Sequence, residues 1–397
     1  MALAVPALLV RVAGVTASAL PALLVFGTAV VASSFLLAWA VEAAQVDVSG
    51  GSAIAVLAVV VVLPEYAVDF YFAYAAGARP EFLAYAAANM TGSNRLLLGL
   101  GWPVVLLAAA VVARRSTRGG GRSRTRRGTV VDLEPARRID LGFLLFASGV
   151  ALVIVVAGVI SVPVGIVLLA LFGWYLWKVS RGGVEEPELT GTAAQLGALP
   201  RRRRRAAVVG LFLFAALVVA ASAEPFAQAL LGTGERWGVD RFVLVQWLAP
   251  LASEAPEFIV AILFALRGRG SAAMGTLISG KVTQWTLLVG SLPLAYLAGG
   301  GDFALRLDPR QTEELLLTAA QTVLGVGTLL TCEFRGRAAA LLAAFLAVQF
   351  VVPGERARLV LCGVYGVSAL VAFVAGRRRV LPTLAAPFRT DVSPDAR

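Results

Sequence analysis

The sequence predicts an all-α integral membrane protein of about ten or eleven transmembrane helices, built as two repeats of inverted topology. Composition is the first reason: 59% of the 397 residues are hydrophobic, only 15% are charged, and mean hydropathy is +0.82. Soluble domains are about half apolar and a quarter charged. Run length is the second, because several apolar stretches reach the roughly 18 residues that cross the hydrocarbon core as a helix. The third is a pair of distant segments, VVVVLPEYAVDFYFAYAAG at 59–77 and LAPLASEAPEFIVAILFALRG at 248–268, each apolar except around a Pro-Glu pair. Helices satisfy every backbone group internally, whereas open sheets in lipid do not. The alternating polarity of barrel strands is absent from the sequence.

Taken in order, the first half offers spans at 19–42, 52–76, 82–112, 140–160 and 162–180. The second offers 206–231, 241–266, 271–298, 311–332, 338–353 and 358–376. Residues 1–18 are apolar too, but Arg11 interrupts them and they are short for a separate span. The organisation that follows is a first repeat at 19–180 with its motif at 59–101, then a basic linker at 181–205. A second repeat at 206–353 with its motif at 248–290, an additional transmembrane helix at 358–376 and a disordered tail at 380–397 complete it. The tail reading rests on its prolines and charges. No basic region precedes an apolar core at the start, so no removed signal peptide is expected.

Arginine sets the orientation. The net charge is +11, and the basic residues collect at 114–138, in Arg201–Arg205, and at Arg267, Arg269, Arg335, Arg337 and Arg377–Arg379. Cytoplasmic loops carry such an excess. Placing these segments there puts the N-terminus outside and, with eleven spans, the C-terminus inside, in a plasma-membrane protein. The span holding Glu65 then runs from inside to outside and the span holding Glu257 from outside to inside. The two segments are therefore antiparallel, the pattern of inverted repeats that build secondary transporters with a midplane ion site. In a soluble chain this charge would suggest nucleic acid; here none is expected, and the partners are the lipid bilayer and inorganic cations.

A carboxylate at bilayer depth costs roughly 2.5 kcal/mol or more. The chain incurs that cost at Glu65 and again at Glu257, each beside a helix-breaking proline, Pro64 and Pro256. A cation held by both carboxylates accounts for it. Each motif span is followed by a second polar-interrupted run, AANMTGSNRLLLGLG at 87–101 and MGTLISGKVTQWTLLVG at 274–290. Small residues there permit close helix packing. The interleaved Asn89, Asn94, Thr276, Lys281, Thr283 and Gln284 need polar partners, because burying them unpaired costs several kcal/mol.

These residues resemble the α-repeats of the cation/calcium exchanger superfamily, whose pattern is G-T-S-x-P-E followed by G-N-x-x-G-S-N. LPE and N-M-T-G-S-N match it in the first repeat, S-E-A-P-E and G-T-L-I-S-G-K-V-T-Q in the second. The resemblance implies ten core helices in two five-helix repeats, with the two Pro-Glu helices crossing at the centre. It implies Glu65 and Glu257 as the principal metal-cation ligands, prolines that free carbonyl oxygens, and completion of the site by amides and hydroxyls. Asn89, Ser93 and Asn94 match the motif directly. Oxygen ligands suit Ca2+ and Na+.

The departures are informative. Val61 and Val62 stand where the family has hydroxyls, and Asp69, one helical turn after Glu65, replaces a small hydroxyl residue. In the second repeat Ser253 keeps a hydroxyl, Glu254 replaces its neighbour, and Lys281 occupies the place of Asn94. The hinge between motif helices is about five residues longer in the first repeat. Lys281 is read either as a fixed internal cation in a sodium position or as one half of a buried pair with Glu254. As a fixed cation it favours proton over sodium coupling. Arg95 is open between pairing with Asp69 and lining an aqueous opening; Glu313 and Glu314 suit the start of a helix after Pro309.

The function expected is a secondary active cation antiporter, exchanging Ca2+ or another cation for Na+ or H+ by alternating access. The alternative is a transporter-like sensor or scaffold that no longer transports. An enzyme is not expected: the chain has no His, no nucleophile motif and no nucleotide-binding Gly loop. Nor does it carry a Walker motif for an ATP-driven pump. The absence of His excludes His-ligated metals, and the two Cys suggest neither disulfide nor zinc. No cofactor is expected beyond the transported cations, Ca2+, Na+ or H+.

Overall fold

In the computed structural model the chain is described over residues 1–14, 18–47, 63–118, 130–181, 189, 191–351 and 354–389, with backbone alone at 63–65, 115–118, 256 and 355. After a short helix, α1 (Val5–Val12), come α2 (Ala19–Ala44), α3 (Leu63–Ala78) and α4 (Phe82–Leu96). Helix α4 runs through a π-helical turn at Leu97–Gly101 into α5 (Trp102–Arg118), and α6 (Arg138–Ala157) and α7 (Val162–Ser180) close the first half. The second half holds the short α8 (Gly191–Gly197), α9 (Arg201–Trp237), α10 (Arg241–Ser253), α11 (Ala255–Leu266) and α12 (Gly270–Thr283). A second π-helical turn, Gln284–Leu288, leads into α13 (Val289–Ala298), followed by α14 (Pro309–Leu329), α15 (Gly336–Val351), α16 (Glu355–Ala375) and α17 (Arg377–Ala385).

Among the described residues each expected span has a helix at its place, the 52–76 span from Leu63 onward, and the chain is all-α in class. Among the described residues six helices are alone long and apolar enough to cross a membrane, or seven if α10 and α11 count as one interrupted span. The rest fall short for local reasons. Helix α15 has only 16 residues, α14 carries Arg310, Glu313 and Glu314, and the stretch before α3 lies outside the described residues.

The chain divides into two compact units, each drawing on both sequence repeats. The first comprises Met1–Asn89, Leu176–Pro256 and Ala295–Gly300; the second comprises Met90–Tyr175, Glu257–Leu294 and Gly301–Arg397.

In the first unit α2 packs along the 37-residue α9, where Phe226 lies against Gly27. Helix α3 also meets α9, and the Gln228 amide donates to the Tyr71 hydroxyl at 2.6 Å. At Gly77 and Gly299 two backbones touch, so a methyl on either would strike the other chain segment. Past the end of α2, Asp47 accepts two bonds from Arg204 at 2.8 and 2.9 Å, with Arg201 and Arg205 at 3.6 and 3.5 Å. The Arg204 hydrogen bond, followed by the neighbouring guanidinium charges, holds the Asp47 carboxyl down at about 2 from its usual 3.8. A depressed carboxyl pKa contributes stability that is present above the unfolded value and lost as pH falls through the folded one. Thermal unfolding of purified protein should therefore show a component of stability lost between about pH 4 and pH 2 that is missing in Asp47→Asn.

The second unit carries two antiparallel ribbons. Strand β1 (Val130–Asp132) pairs with β4 (Glu333–Arg335), and β2 (Val159–Ser161) pairs with β3 (Ala304–Arg306). Each ribbon joins a loop of the first repeat to a loop of the second, satisfying backbone groups that short loops would otherwise leave open. Helices α7 and α13 approach at Gly165 and Gly290: a Cβ on the first would lie 2.6 Å from the Gly290 carbonyl oxygen, and one on the second 2.9 Å from that of Gly165. Small residues allow this closeness in lipid, where packing and not hydrophobicity drives association. Gly290→Val should destabilise the protein by about 1–3 kcal/mol through overpacking, read as a lowered unfolding midpoint in detergent.

The disordered tail expected from residue 380 needs correction. Residues 377–388 are helical, and Pro387 and the Thr383 carbonyl fill the space beside Gly142 of α6. Proline and charge pointed to disorder, but docking against a glycine outweighs composition. Only 390–397 lie outside the described residues.

Candidate functional site

Helix α3 begins at Leu63, so Pro64 occupies its first turn, where its missing N–H costs no helical bond. Glu65 follows in the same turn; its side chain lies outside the described residues, as do Val61 and Val62. One turn on, Asp69 is fully buried, as is Asn89 on α4. The Asn89 amide is turned to Asp69, yet beyond direct hydrogen-bond geometry: both Asp69 oxygens and both Asn89 side-chain polar atoms lack a direct partner among the described residues.

A further candidate carboxylate of the first unit, Glu254, sits at a helix break. Helix α10 ends at Ser253, Glu254 caps it, and α11 starts at Ala255. Pro256 explains the interruption, since its ring and missing N–H are incompatible with a continuous helix through residue 252. The Ser253 hydroxyl donates back to the carbonyls of Ala249 and Pro250 at 3.2 and 3.3 Å, and Glu254 is 1% exposed.

In the second unit Glu257 lies in the first turn of α11. Its Oε2 would sit 3.2 Å from a Cβ placed on Gly280, so glycine leaves the carboxylate room against the α12 backbone. The next residue, Lys281, is fully buried, and its Nζ donates to the Asn94 carbonyl at 2.7 Å and to Asn94 Oδ1 at 3.2 Å. The Asn94 amide nitrogen donates in turn to the Met90 carbonyl at 3.1 Å. Ser93 is fully buried nearby in sequence, and Gln284 is 1% exposed. Thr276 instead faces outward, with its hydroxyl bonded to the Ala272 carbonyl at 3.1 Å. Among the described residues no three Cys, Asp or Glu side chains are grouped closely enough to hold a metal ion.

The two π-helical turns stand at equal distances from Asn94 and Lys281. One begins at Leu97 and the other at Gln284, each three residues further along the chain. Such turns widen a helix and recur at functional positions.

Arg95 takes neither of the roles left open for it. It pairs with Glu314 at 2.6 Å and donates to Gln349 at 3.0 Å, which itself donates to the Tyr365 hydroxyl at 2.8 Å. Arg358 approaches Glu313 at 3.3 Å and Glu314 at 3.8 Å. Glu313 and Glu314 are thus buried partners of arginines. A second polar cluster was not foreseen at all. Tyr175 bonds Asp140 and Ser279, Arg137 lies 3.4 Å from Asp140, and its guanidinium rests where only Gly275 leaves space. The i,i+3 spacing of Arg137 and Asp140 was the only sign of it in the sequence.

With this geometry in view, comparison with known proteins is informative. The profile of a family described as "Sodium/calcium exchanger protein" matches residues 18–180 and 207–353. A solved structure titled as that of the H+/Ca2+ exchanger CAX is 39% identical, covers 98% of this chain and 95% of its own, and superposes with a TM-score of 0.89. Native YfkE (15% identity, 92% of this chain and 98% of its own, TM-score 0.63) and the sodium-calcium exchanger NCX_Mj (16%, 85% and 99%, TM-score 0.55) share the fold. Among curated protein sequences there is no match.

Proposed function

The chain belongs to the sodium/calcium exchanger protein family, a family of multi-pass membrane transporters and not of enzymes, and from that premise we propose that it exchanges Ca2+, or a similar hard cation, for protons by alternating access. The observation that carries the choice of proton is the Lys281 ammonium on Asn94. In the family motif the position of Asn94 supplies an amide oxygen to a cation; here the chain's own cation holds it.

Two carboxylates, Glu65 and Glu257, balance one dication. Two protons balance the same charge, so the emptied carrier returns protonated and the fluxes are coupled by mutual exclusion. Oxygen donors from Ser93, Ser253 and Gln284, and carbonyls freed at the Pro256 break, suit a hard cation. The buried oxygens of Asp69 and Asn89, without a direct partner among the described residues, have the character of cation ligands, since such polar atoms call for a specific reason. Glu254 and Thr276 belong to the same ligand set by sequence. Orientation in the plasma membrane follows the arginines, with the N-terminus outside and the basic loops in the cytoplasm.

The similarity to a structure titled as an H+/Ca2+ exchanger supports the same pairing of ions. The test is purified protein in sealed vesicles, assayed for Ca2+, Na+ and H+ flux under each gradient in turn. Ca2+ uptake should follow an outward proton gradient. Uptake driven by a sodium gradient alone and indifferent to pH would reject proton coupling.

A further inference from the structure

We propose that the C-terminal segment, residues 377–389, is a membrane-surface element that binds anionic phospholipid headgroups. Helix α16 ends at Ala375, and only Gly376 separates it from α17. Residues that follow an apolar, membrane-length helix so closely lie at the level of the headgroups.

The segment is held rigidly there. Thr383 is fully buried, and the side of Gly142 is filled by Pro387 at 2.7 Å and by the Thr383 carbonyl at 2.7 Å from where a Cβ would be. The Phe388 ring lies 5.0 Å from that of Trp174 and 5.7 Å from that of Phe146. Docking of this kind fixes which face looks outward. The undocked part of the segment exposes Arg377, Arg378 and Arg379 around its first turn, together with Leu381 at 76% and Phe388 at 62% exposure. None of the three arginines takes an ion pair from a carboxylate among the described residues.

A short helix that turns basic side chains toward the headgroups and large apolar ones toward the acyl boundary lies in the interface plane. Apolar groups enter the acyl boundary while guanidinium groups reach phosphate oxygens, which they bind in a fork geometry. A continuous lipid surface is the partner available at that depth, and a soluble anion would leave Leu381 and Phe388 uncovered.

The experiment uses the full-length protein purified in neutral detergent and titrated with phosphatidylglycerol or phosphatidylcholine, with thermal midpoint and retained lipid as readouts. Phosphatidylglycerol should raise the midpoint, and phosphatidylcholine should not. An arginine near an anionic surface is worth about 1 kcal/mol, so R377Q/R378Q/R379Q should weaken the apparent affinity roughly a hundredfold, while the triple Lys variant retains most of it. Equal shifts with both lipids, an undiminished shift in the Gln variant, or the same shift from inorganic phosphate would each overturn the proposal. If the Gln variant fails to fold, L381S takes its place, with lipid retention expected to fall and unchanged retention counting against the proposal. No readout depends on transport.

Discussion

Glu65→Gln and Glu257→Gln should each abolish cation exchange while leaving membrane insertion and the unfolding midpoint near those of the parent protein. Glutamine keeps the size and one carbonyl oxygen but removes the charge. A unit charge about 4 Å from another is worth about 4 kcal/mol at an effective dielectric constant of 20, close to a thousandfold in affinity, and a dication bound more closely loses at least that. Insertion should survive because a neutral amide is cheaper at bilayer depth than a carboxylate. The measurement is Ca2+ flux into vesicles at matched protein density. Normal exchange in both variants would remove these carboxylates from the site and with them the proposed mechanism.

Lys281→Gln is the second large effect. The ammonium is buried and donates both to the Asn94 carbonyl and to its side-chain oxygen. Glutamine can keep one of these bonds but not the charge, and it turns a fixed cation into an oxygen donor. Exchange driven by protons should fall by an order of magnitude or more, and flux should gain a dependence on Na+ because the amide oxygens become available to a hard cation. Lys281→Met should lose proton-driven exchange without that gain. Unsatisfied Asn94 oxygens would cost it about 1–3 kcal/mol of stability. A glutamine variant with unchanged proton coupling and no response to Na+ would show that Lys281 is structural.

Much of the architecture was legible because lipid imposes a strong rule on sequence. Among the described residues the expected spans carry helices, which satisfy the backbone in hydrocarbon internally, and Pro256 lies just after the break at Glu254, where its missing N–H and ring oppose a continuous helix. Asn94 and Lys281, matched by motif spacing, stand at equal distances from the two π-helical turns. Partners were less legible. Arg95 lies 219 positions from Glu314, and nothing in the periodicity of either helix names the other. Tyr175, between Trp174 and Trp177 in the sequence, is buried and bonded to Asp140 and Ser279, partners that no spacing along the chain announces.

The sequence by itself determined the solvent of this protein, the places of its long apolar helices, and the two Pro-Glu segments. Those properties follow from transfer free energies, which each segment carries alone. Tertiary structure decided the partners of the buried charges, Lys281 on Asn94 and Arg95 on Glu314, and set the terminal helix against Gly142. Pair energies depend on distances of a few ångströms between groups far apart along the chain. Such distances exist only once the helices have packed.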